Sequence, residues 1–390
     1  MKNLLIVVTA LLMSTVCPGQ QTARELKTVT FSGSGYELGL QHGKELKQEI
    51  GEIIRAWKKN TSNSLGKDAD LVLKEFFEYA EFNEAIKEYT PDLYDEIRGI
   101  AEGSDQKIND IMVLNLMDEF WVYVNNLSNH HCSGVGVPSR NGKPGYISQN
   151  MDLENYTDGF QVLMRLNRSE DRPEQLILTH PGLIALNGLN EKGIGVCVNT
   201  LMQLKASSEG LPVAFVVRRI IGSTDKEDLL SFIQDVKHAS GQNYMIGIQG
   251  EIYDFEASAN KVVRFNPGNE NGTVYHTNHP IVNDDIKPWF YNYDPNVKDE
   301  LKPTNSNSHL RFRALEKRMA SSSEGGERLI KESLRSKDDK NNPVCRANEE
   351  NGSGFTFASV IMTLNEKPNI QILAGPPDES DYMQVDFSAK

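Results

Sequence analysis

The sequence predicts an α+β fold in which antiparallel β-sheets are covered by helices. Before residue 131, apolar residues recur mainly with helical spacing, whereas after residue 132 short alternating segments between turn residues predict strands joined in hairpins. The later helical patterns come in separate blocks, which argues against a parallel βαβ arrangement. The sequence contains no internal repeat, no GxGxxG segment and no Walker loop.

The part of the chain before Cys132 is predicted to be largely helical. Residues 25–32 alternate like a strand, and Ser34-Gly35-Tyr36-Glu37 forms a capping box for a helix that extends to about Lys59. Further helical patterns follow at 67–88, 91–103 and 107–126.

The part that begins at Cys132 is predicted to be rich in strands. Asn141-Gly142 is a strong hairpin turn between strands at 132–138 and 144–153. Later strands are predicted at 161–167, 174–179, 183–188, 194–199, 243–248, 251–257, 261–265, 273–277, 355–362 and 369–374. Helices are predicted at 212–221, 225–237, 308–320 and 326–335, and polar surface loops at 295–307 and 336–353.

The first twenty residues have the layout of a secretory signal peptide. Lys2 precedes an apolar run from Leu4 to Met13, which is too short to span a bilayer as a helix. We therefore expect a soluble protein, secreted or periplasmic, with leader 1–20, a helical segment 21–131 and a hydrolase segment 132–390. Lipid attachment at Cys17 is the less favoured alternative, because Val16 is bulkier than the small residue that such processing needs.

The composition excludes some partners. The net charge of −13 repels phosphate backbones, so no nucleic-acid partner is expected, and no segment after the leader could span a membrane. About 370 residues remain after the leader, enough for two ordinary domains or one large layered domain. The sequence carries no signal for the oligomeric state.

Three cysteines follow the leader, and an odd number in an oxidising compartment leaves at least one thiol unpaired. Cys197 lies in the apolar run IGVCVNT and is interpreted as a buried, inert thiol. Cys345 lies in a polar loop, either unpaired or bonded to Cys197. Cys132 opens the first hairpin and is the candidate nucleophile.

A thiol at the first position of a strand can become a chain terminus. If the bond between His131 and Cys132 is broken, one residue carries both a sulfur nucleophile and an α-amino group. The reference pKa of that amine, about 7.7–8.0, suits a general base at neutral pH. We therefore interpret the chain as a self-processing amide hydrolase.

Several segments make the chain resemble the isopenicillin N acyltransferase family of N-terminal nucleophile hydrolases, which is related to choloylglycine hydrolases and acid ceramidase. They run in family order: Gly35-Tyr36-Glu37-Leu38-Gly39 with His42-Gly43, Cys132-Ser133, Gln149-Asn150-Met151-Asp152, Gly188-Leu189-Asn190-Glu191-Lys192-Gly193, Thr277-Asn278-His279-Pro280, Ser308-His309-Leu310-Arg311 and the terminal GPPDES. The resemblance implies a four-layer αββα sandwich, an inactive precursor and autocatalytic cleavage before Cys132.

The resemblance also implies roles for individual residues. Cys132 would be the nucleophile, its freed amine the base, and Asp152 the carboxylate that orients the new terminal ammonium. The acyltransferase has glycine before its cysteine, whereas this chain has His130-His131. The imidazole either hinders the strained turn that cleavage needs or assists the proton transfer.

Three further residues complete the implied site. Asn190 and Asn278 resemble the amide donors that hold the substrate and the oxyanion, although asparagine is also common in turns for its side-chain hydrogen bonds to the backbone. Arg311 resembles the arginine beside the nucleophile, where its charge would favour a thiolate. Arg313, two positions away, stays open as an alternative.

The implied substrate is a small N-acylated or peptide-like compound, cleaved at a linear amide bond through a thioester. Water is favoured over an amine as the acceptor, because acyl-coenzyme A is not expected outside the cytoplasm. No cofactor is expected. No metal is expected at His130-His131-Cys132, since neighbouring strand side chains point to opposite faces and no second ligand cluster accompanies them.

Two other functions stay open. A papain-like peptidase would use Cys132 with His276 or His279, but that mechanism prefers the sulfur at a helix N-terminus. A secreted binding protein could have kept the fold and lost the chemistry, and His131 before the cysteine is the feature that keeps this alternative open.

Overall fold

The computed structural model of the chain describes residues 24–125, 131–288, 306–320, 326–349, 352 and 354–389. The predicted leader at 1–20, including Cys17, lies outside these residues, as do His130 and most of the predicted loop at 295–307. In the described part of the chain, no helix combines the length and the apolar character needed to cross a bilayer.

The segment before Cys132 is largely helical, as predicted. Strand β1 is Lys27–Phe31, and the helices that follow are α1 Gly35–Glu45, α2 Lys47–Leu65, α3 Ala69–Tyr79, α4 Phe82–Tyr89, α5 Pro91–Ser104, α6 Ile108–Leu114 and α7 Met117–Tyr123. The predicted capping box is present at Ser34 and Glu37. Three of the predicted helices are each two helices in the structure, with breaks at Leu46, 80–81 and 115–116. The sequence pattern does not reveal these breaks, because the apolar spacing continues across them.

Helices α1 and α5 pack with their backbones in contact. A Cβ atom on Gly39 would collide with the Glu96 carbonyl, and one on Gly99 would collide with the Tyr36 carbonyl. His42 of α1 accepts a hydrogen bond at Nε2 from the Gly182 amide, 2.9 Å away. The glycines of the GYELG segment therefore serve helix packing.

The strands form two sheets. The remaining strands are β2 Ser133–Val137, β3 Tyr146–Leu153, β4 Val162–Leu166, β5 Gln175–Thr179, β6 Asn187–Asn190, β7 Ile194–Thr200, β8 Gln242–Ile248, β9 Glu251–Ala257, β10 Val262–Phe265, β11 Val274–His276, β12 Phe355–Thr363, β13 Asn369–Ala374 and β14 Met383–Asp386. The strand order is β1-β4-β5-β6-β7-β8-β9-β10 in one sheet and β11-β2-β3-β12-β13-β14 in the other. The predicted turn joins β2 to β3, and both Asn141 and Gly142 have positive φ angles, of 53° and 74°.

The sheets and helices form the predicted four-layer αββα sandwich. Strands β2 and β3 face β7 and β8 across the interior. Helix α8, Val213–Gly222, packs on β6 and β7, and α9, Lys226–Asp235, follows it. On the six-stranded sheet, α10, Asn307–Met319, packs on β2 and β11, and α11, Glu327–Leu334, packs on β3.

Three details differ from the sequence prediction. Strand β1 pairs with β4 in parallel, since the long connection between them, which contains α1–α7 and the β2–β3 hairpin, imposes no hairpin geometry on this pair. The strand predicted at 183–188 lies instead at Asn187–Asn190, because residues 182–184 form a turn whose backbone is held by Asn115. Strand β14 was not predicted.

Candidate active site

Cys132 is the residue immediately before β2, and strand alternation sets its direction. Val135 and Val137 pack in the small core under α10 and α11, whereas Gly134 and Gly136 approach Met245 of the other sheet. Cys132 shares the parity of the two glycines and belongs to the main core between the sheets. The cysteine side chain therefore points into the interior of the sandwich.

The Cys132 thiol is buried against the end of β3. Its Sγ atom lies 3.5 Å from Met151 Sδ and 3.8 Å from the Asp152 carbonyl oxygen. Burial, and then the charge of Asp152, raises the pKa of the thiol to about 12, although Arg311 acts in the opposite direction. In the intact chain the thiol is therefore protonated at neutral pH and needs a base before it can attack.

Arg311 is the fifth residue of α10 and is fully buried. Its Nη1 donates to the Cys132 carbonyl at 2.7 Å and to Ser133 Oγ at 2.8 Å. Its Nε donates to Asn307 Oδ1 at 2.8 Å. Burial lowers the pKa of the guanidinium to about 10, and Asp152 opposes that change. Arg313 is exposed, so the structure brings Arg311 and not Arg313 to the nucleophile.

Asn278 follows β11 and contacts the same arginine. Arg311 Nη2 donates to Asn278 Oδ1 at 2.9 Å, which leaves the amide hydrogens of Asn278 directed away from the arginine. Asn278 Nδ2 donates to the Thr200 carbonyl at 3.1 Å. The side chain therefore has one fixed orientation beside Cys132.

Asp152, in β3, is a buried carboxylate with a long ion pair to Arg346. Neither carboxylate oxygen has a partner of regular hydrogen-bond geometry within the described ranges, and the nearest cationic atom, Arg346 Nη1, is 3.9 Å from Oδ2. Burial raises the pKa of Asp152 to about 6, against the charges of Arg346 and Arg311. The sequence reasoning missed Arg346, which lies in the polar loop before β12 and has no pattern that distinguishes it.

Asn190 is not brought to this cluster. Its Nδ2 donates to the carbonyls of Ile221 and Ser223, at 2.8 and 2.7 Å. Its Oδ1 accepts from the amides of Lys192 and Ile194. These four bonds use the full capacity of the side chain and tie the β6–β7 turn to the end of α8. The proposed contact of Asn190 with substrate stays a prediction, without support from this arrangement.

A cavity of about 90 Å³ opens beside the nucleophile. Cys132, Asp152 and Thr200 line it together with Asp118 of α7, which the sequence reasoning did not identify. Most of the wall is apolar or aromatic and comes from Leu114, Met117, Trp121, Met151, Leu153, Tyr156, Leu183, Ala185, Leu186, Val198, Val213, Ala214 and Val217. The segment before Cys132 thus builds part of the site.

Neither candidate imidazole for a papain-like dyad contacts the sulfur. His276 is buried between Glu256, 2.8 Å from its Nε2, and the Thr277 carbonyl, 2.8 Å from its Nδ1. His279 bonds to Ser308 Oγ and stacks on His309, with ring centroids 3.7 Å apart. Cys132 also precedes a strand, so it does not lie at the helix N-terminus that the papain-like mechanism prefers.

The remaining cysteines are not bonded to each other. Cys197 and Cys345 are both free and buried, which rules out the disulfide left open by the sequence. Cys345 Sγ donates to Asp378 Oδ1 at 2.9 Å. Across the ranges that the structure describes, no group of three His, Cys, Asp or Glu side chains could hold a metal ion.

Comparisons with known proteins agree with the resemblance predicted from the motifs. A sequence profile of the acyl-coenzyme A:6-aminopenicillanic acid acyl-transferase family matches residues 140–378. The chain is similar to the acyl-coenzyme A:6-aminopenicillanic-acid-acyltransferase 40 kDa form of Emericella nidulans, with 25% identity over 357 residues that cover 90% of this chain and 94% of that protein.

Two solved structures are also similar to the chain. A mutant conjugated bile acid hydrolase from Clostridium perfringens has 15% identity and a TM-score of 0.40, covering 66% of this chain and 97% of the other. Penicillin V acylase from Agrobacterium tumefaciens has 13% identity and a TM-score of 0.41, covering 66% of this chain and 86% of the other.

Proposed function

Since the chain belongs to the acyl-coenzyme A:6-aminopenicillanic acid acyl-transferase family, we propose that it is a secreted, self-processing hydrolase of small N-acylated or peptide-like amides. The observation that supports this most directly is the position of Cys132. The thiol stands immediately before a strand, faces a cavity, and has its own carbonyl held by the buried Arg311. It acts through a thioester intermediate.

Maturation is the first reaction. Cys132 Sγ attacks the carbonyl carbon of His131, a C–S bond forms, the C–N bond to Cys132 breaks, and the thiol proton passes to the departing nitrogen. Water then hydrolyses the thioester, which leaves a carboxylate on His131 and a free thiol and amine on Cys132. His131 Nδ1 lies 2.9 Å from Asn307 Oδ1, which also accepts from Arg311, and this shared contact supports a fixed position for the scissile bond.

The freed amine then supplies the base for amide cleavage. It takes the thiol proton, Sγ attacks the substrate amide carbon, and the proton passes to the departing amine. Asp152 holds the terminal ammonium, and Asn278 is the candidate donor for the oxyanion. Arg311 carries a positive charge beside the sulfur and favours the thiolate.

Water is the proposed acceptor of the acyl group. The leader-like segment 1–20 supports a location outside the cytoplasm, where acyl-coenzyme A is not expected. Attack of water on the thioester regenerates the thiol, whereas attack of an amine completes acyl transfer by the same chemistry.

A panel of N-acyl amines tests this function. The wild-type protein is expected to release free amine from at least one member, and Cys132→Ala is expected to release none, because the attacking atom is gone. Cys197→Ala removes a buried thiol outside the cavity and serves as the matched control, with activity retained. Equal activity of Cys132→Ala and wild type would contradict the proposal. Absence of turnover together with no preferential alkylation of Cys132 would favour the binding-protein alternative.

A further inference from the structure

Asp118 is a carboxylate in the wall of the cavity that holds Cys132. It lies in the first turn of α7 and is partly exposed to the cavity. Its Oδ2 accepts from Thr200 Oγ1 and from Gln242 Nε2, both at 2.7 Å. Its Oδ1 makes no hydrogen bond to any residue that the structure describes. One oxygen is therefore fixed by the fold, and the other is available to a ligand.

The described wall of the cavity around Asp118 is poor in cationic side chains. None of the described residues that line it is a lysine or an arginine, and burial lowers the pKa of its histidine, His180, to about 4. Asp118, Asp152 and Glu154 are its acidic members. A carboxylate in a largely apolar wall is costly to desolvate unless it is paired, so the site favours a cation.

The surrounding side chains also suit a protonated amine. Trp121 and Tyr156 line the same cavity, and aromatic faces attract cationic groups. The charge of Asp118 reaches the nucleophile, since it contributes to the raised pKa of the Cys132 thiol. A cation bound at Asp118 would offset that effect and make the thiolate easier to form.

We propose that Asp118 binds a protonated amino group of the substrate, so that the enzyme selects short N-acyl compounds that carry an ammonium in this cavity. This inference rests on the proposed function, but its test measures ligand binding and does not require amide cleavage. At about 30 Å³ of liquid volume per water, a cavity of about 90 Å³ has room for roughly three water molecules, so the bound group is short.

A purely structural role for Asp118 makes a different prediction. Its bonds to Thr200 and Gln242 connect α7 to β7 and β8, and their loss alone would lower stability without changing ligand preference. Asp118→Asn keeps the shape and an acceptor oxygen for those two donors but removes the charge. The comparison of a charged with a neutral ligand therefore separates the two roles.

The test measures how far n-butylammonium and 1-butanol, at matched ionic strength, protect Cys132 from alkylation by iodoacetamide. Mass spectrometry of the Cys132 peptide gives the extent of alkylation. In the wild-type protein we expect butylammonium to protect at a concentration about tenfold lower than butanol, as a charge-assisted hydrogen bond provides. The shift in the midpoint of thermal unfolding gives the same comparison without labelling.

The variants decide the outcome. Asp118→Asn should reduce the tenfold preference to about one, whereas Asp95→Asn, a control on α5 with a half-exposed side chain, should keep it. Equal effects of the two ligands on wild type, no effect of either, or an unchanged preference in Asp118→Asn would overturn the inference. If the enzyme cleaves amides but shows no preference for butylammonium over butanol, the inference fails and the proposed function stands. If the protein shows this preference but cleaves no amide, only the proposed function fails.

Discussion

Among the described residues, an arginine is buried in two regions, and its charge has different partners in each. Between α5 and α8, Arg218 Nη2 donates to Glu96 Oε2 at 2.6 Å, and both side chains are almost completely buried. Beside Cys132, Arg311 bonds only to neutral oxygens, and the nearby carboxylate of Asp152 has no regular hydrogen bond within the described ranges.

The difference separates a structural charge from one that is available for chemistry. In the first region the opposite charges touch, so each neutralises the other and the pair holds two helices together. In the second region the charges are kept apart, and the thiol of Cys132 is influenced by both. A transition state that develops negative charge benefits from a positive group that no carboxylate has already neutralised.

The largest expected effect is on Arg311. We expect Arg311→Met to reduce kcat/KM for amide cleavage by about 10²–10³, the usual cost of losing one preorganised group at a reacting centre. Arg311→Lys keeps the charge and should lose less. Activity is measured per folded molecule, with Arg313→Met as the exposed control two residues away. If Arg311→Met keeps the wild-type kcat/KM, the charge of Arg311 is not used in the chemistry and the contrast with Arg218 is wrong.

Arg218 should show the opposite behaviour. Arg218→Met leaves Glu96 buried without its partner and is expected to lower the free energy of unfolding by about 3–5 kcal/mol. The kcat/KM of the folded fraction should not change, because the pair does not contact Cys132. Adding Glu96→Leu should restore most of the lost stability. Chemical denaturation of the single and double variants checks this, and a large activity loss in folded Arg218→Met would contradict it.

A smaller effect is expected from Asp152, and it depends on pH. Burial raises the pKa of Asp152 from 3.8 to about 6 in the folded chain, so protonation favours the folded state. This contribution is fully present below pH 3.8 and is lost as the pH rises through about 6. Compared in a Cys132→Ala background, which keeps both chains unprocessed, Asp152→Asn should therefore stabilise the protein at pH 7 by about 2–3 kcal/mol, with no gain below about pH 4.

With Cys132 present, Asp152→Asn is expected to lose turnover, since it cannot hold the new terminal ammonium. Thermal unfolding of Cys132→Ala and of Cys132→Ala/Asp152→Asn across this pH range provides the stability measurement, because the two curves should converge in acid. A double variant that is less stable than Cys132→Ala at pH 7 would show that Asp152 is a paired structural charge like Glu96.

The sequence was enough to predict the four layers of the fold and most of the polar residues around Cys132. Alternation and the Asn141-Gly142 turn predicted a strand that begins at Cys132, one residue before β2 begins. The order of the motifs anticipated that Asp152, Asn278 and Arg311 lie near this cysteine. Helical periodicity alone could not separate Arg311 from Arg313, because the choice depends on which face of α10 packs on β2.

Other features depend on tertiary contacts that a pattern does not contain. Asn190 has the spacing of a site residue, yet its side chain is used completely by a turn and the end of α8. Asp118 has the sequence context of an ordinary charge in a first helical turn, and only the packing of α7 on β7 and β8 places it in the cavity. Arg346 comes from a loop, and the shift of β6 depends on Asn115.

Mass spectrometry and N-terminal sequencing of the fully active protein test the central claim most directly. The account predicts two fragments, of about 12 and about 29 kDa in proportion to the 43.7 kDa of the 390-residue chain, with the larger beginning Cys132-Ser133-Gly134. Recovery of full activity from a protein with an unbroken peptide across residues 130–134 would contradict it, because Cys132 would then have no α-amino group to act as the base.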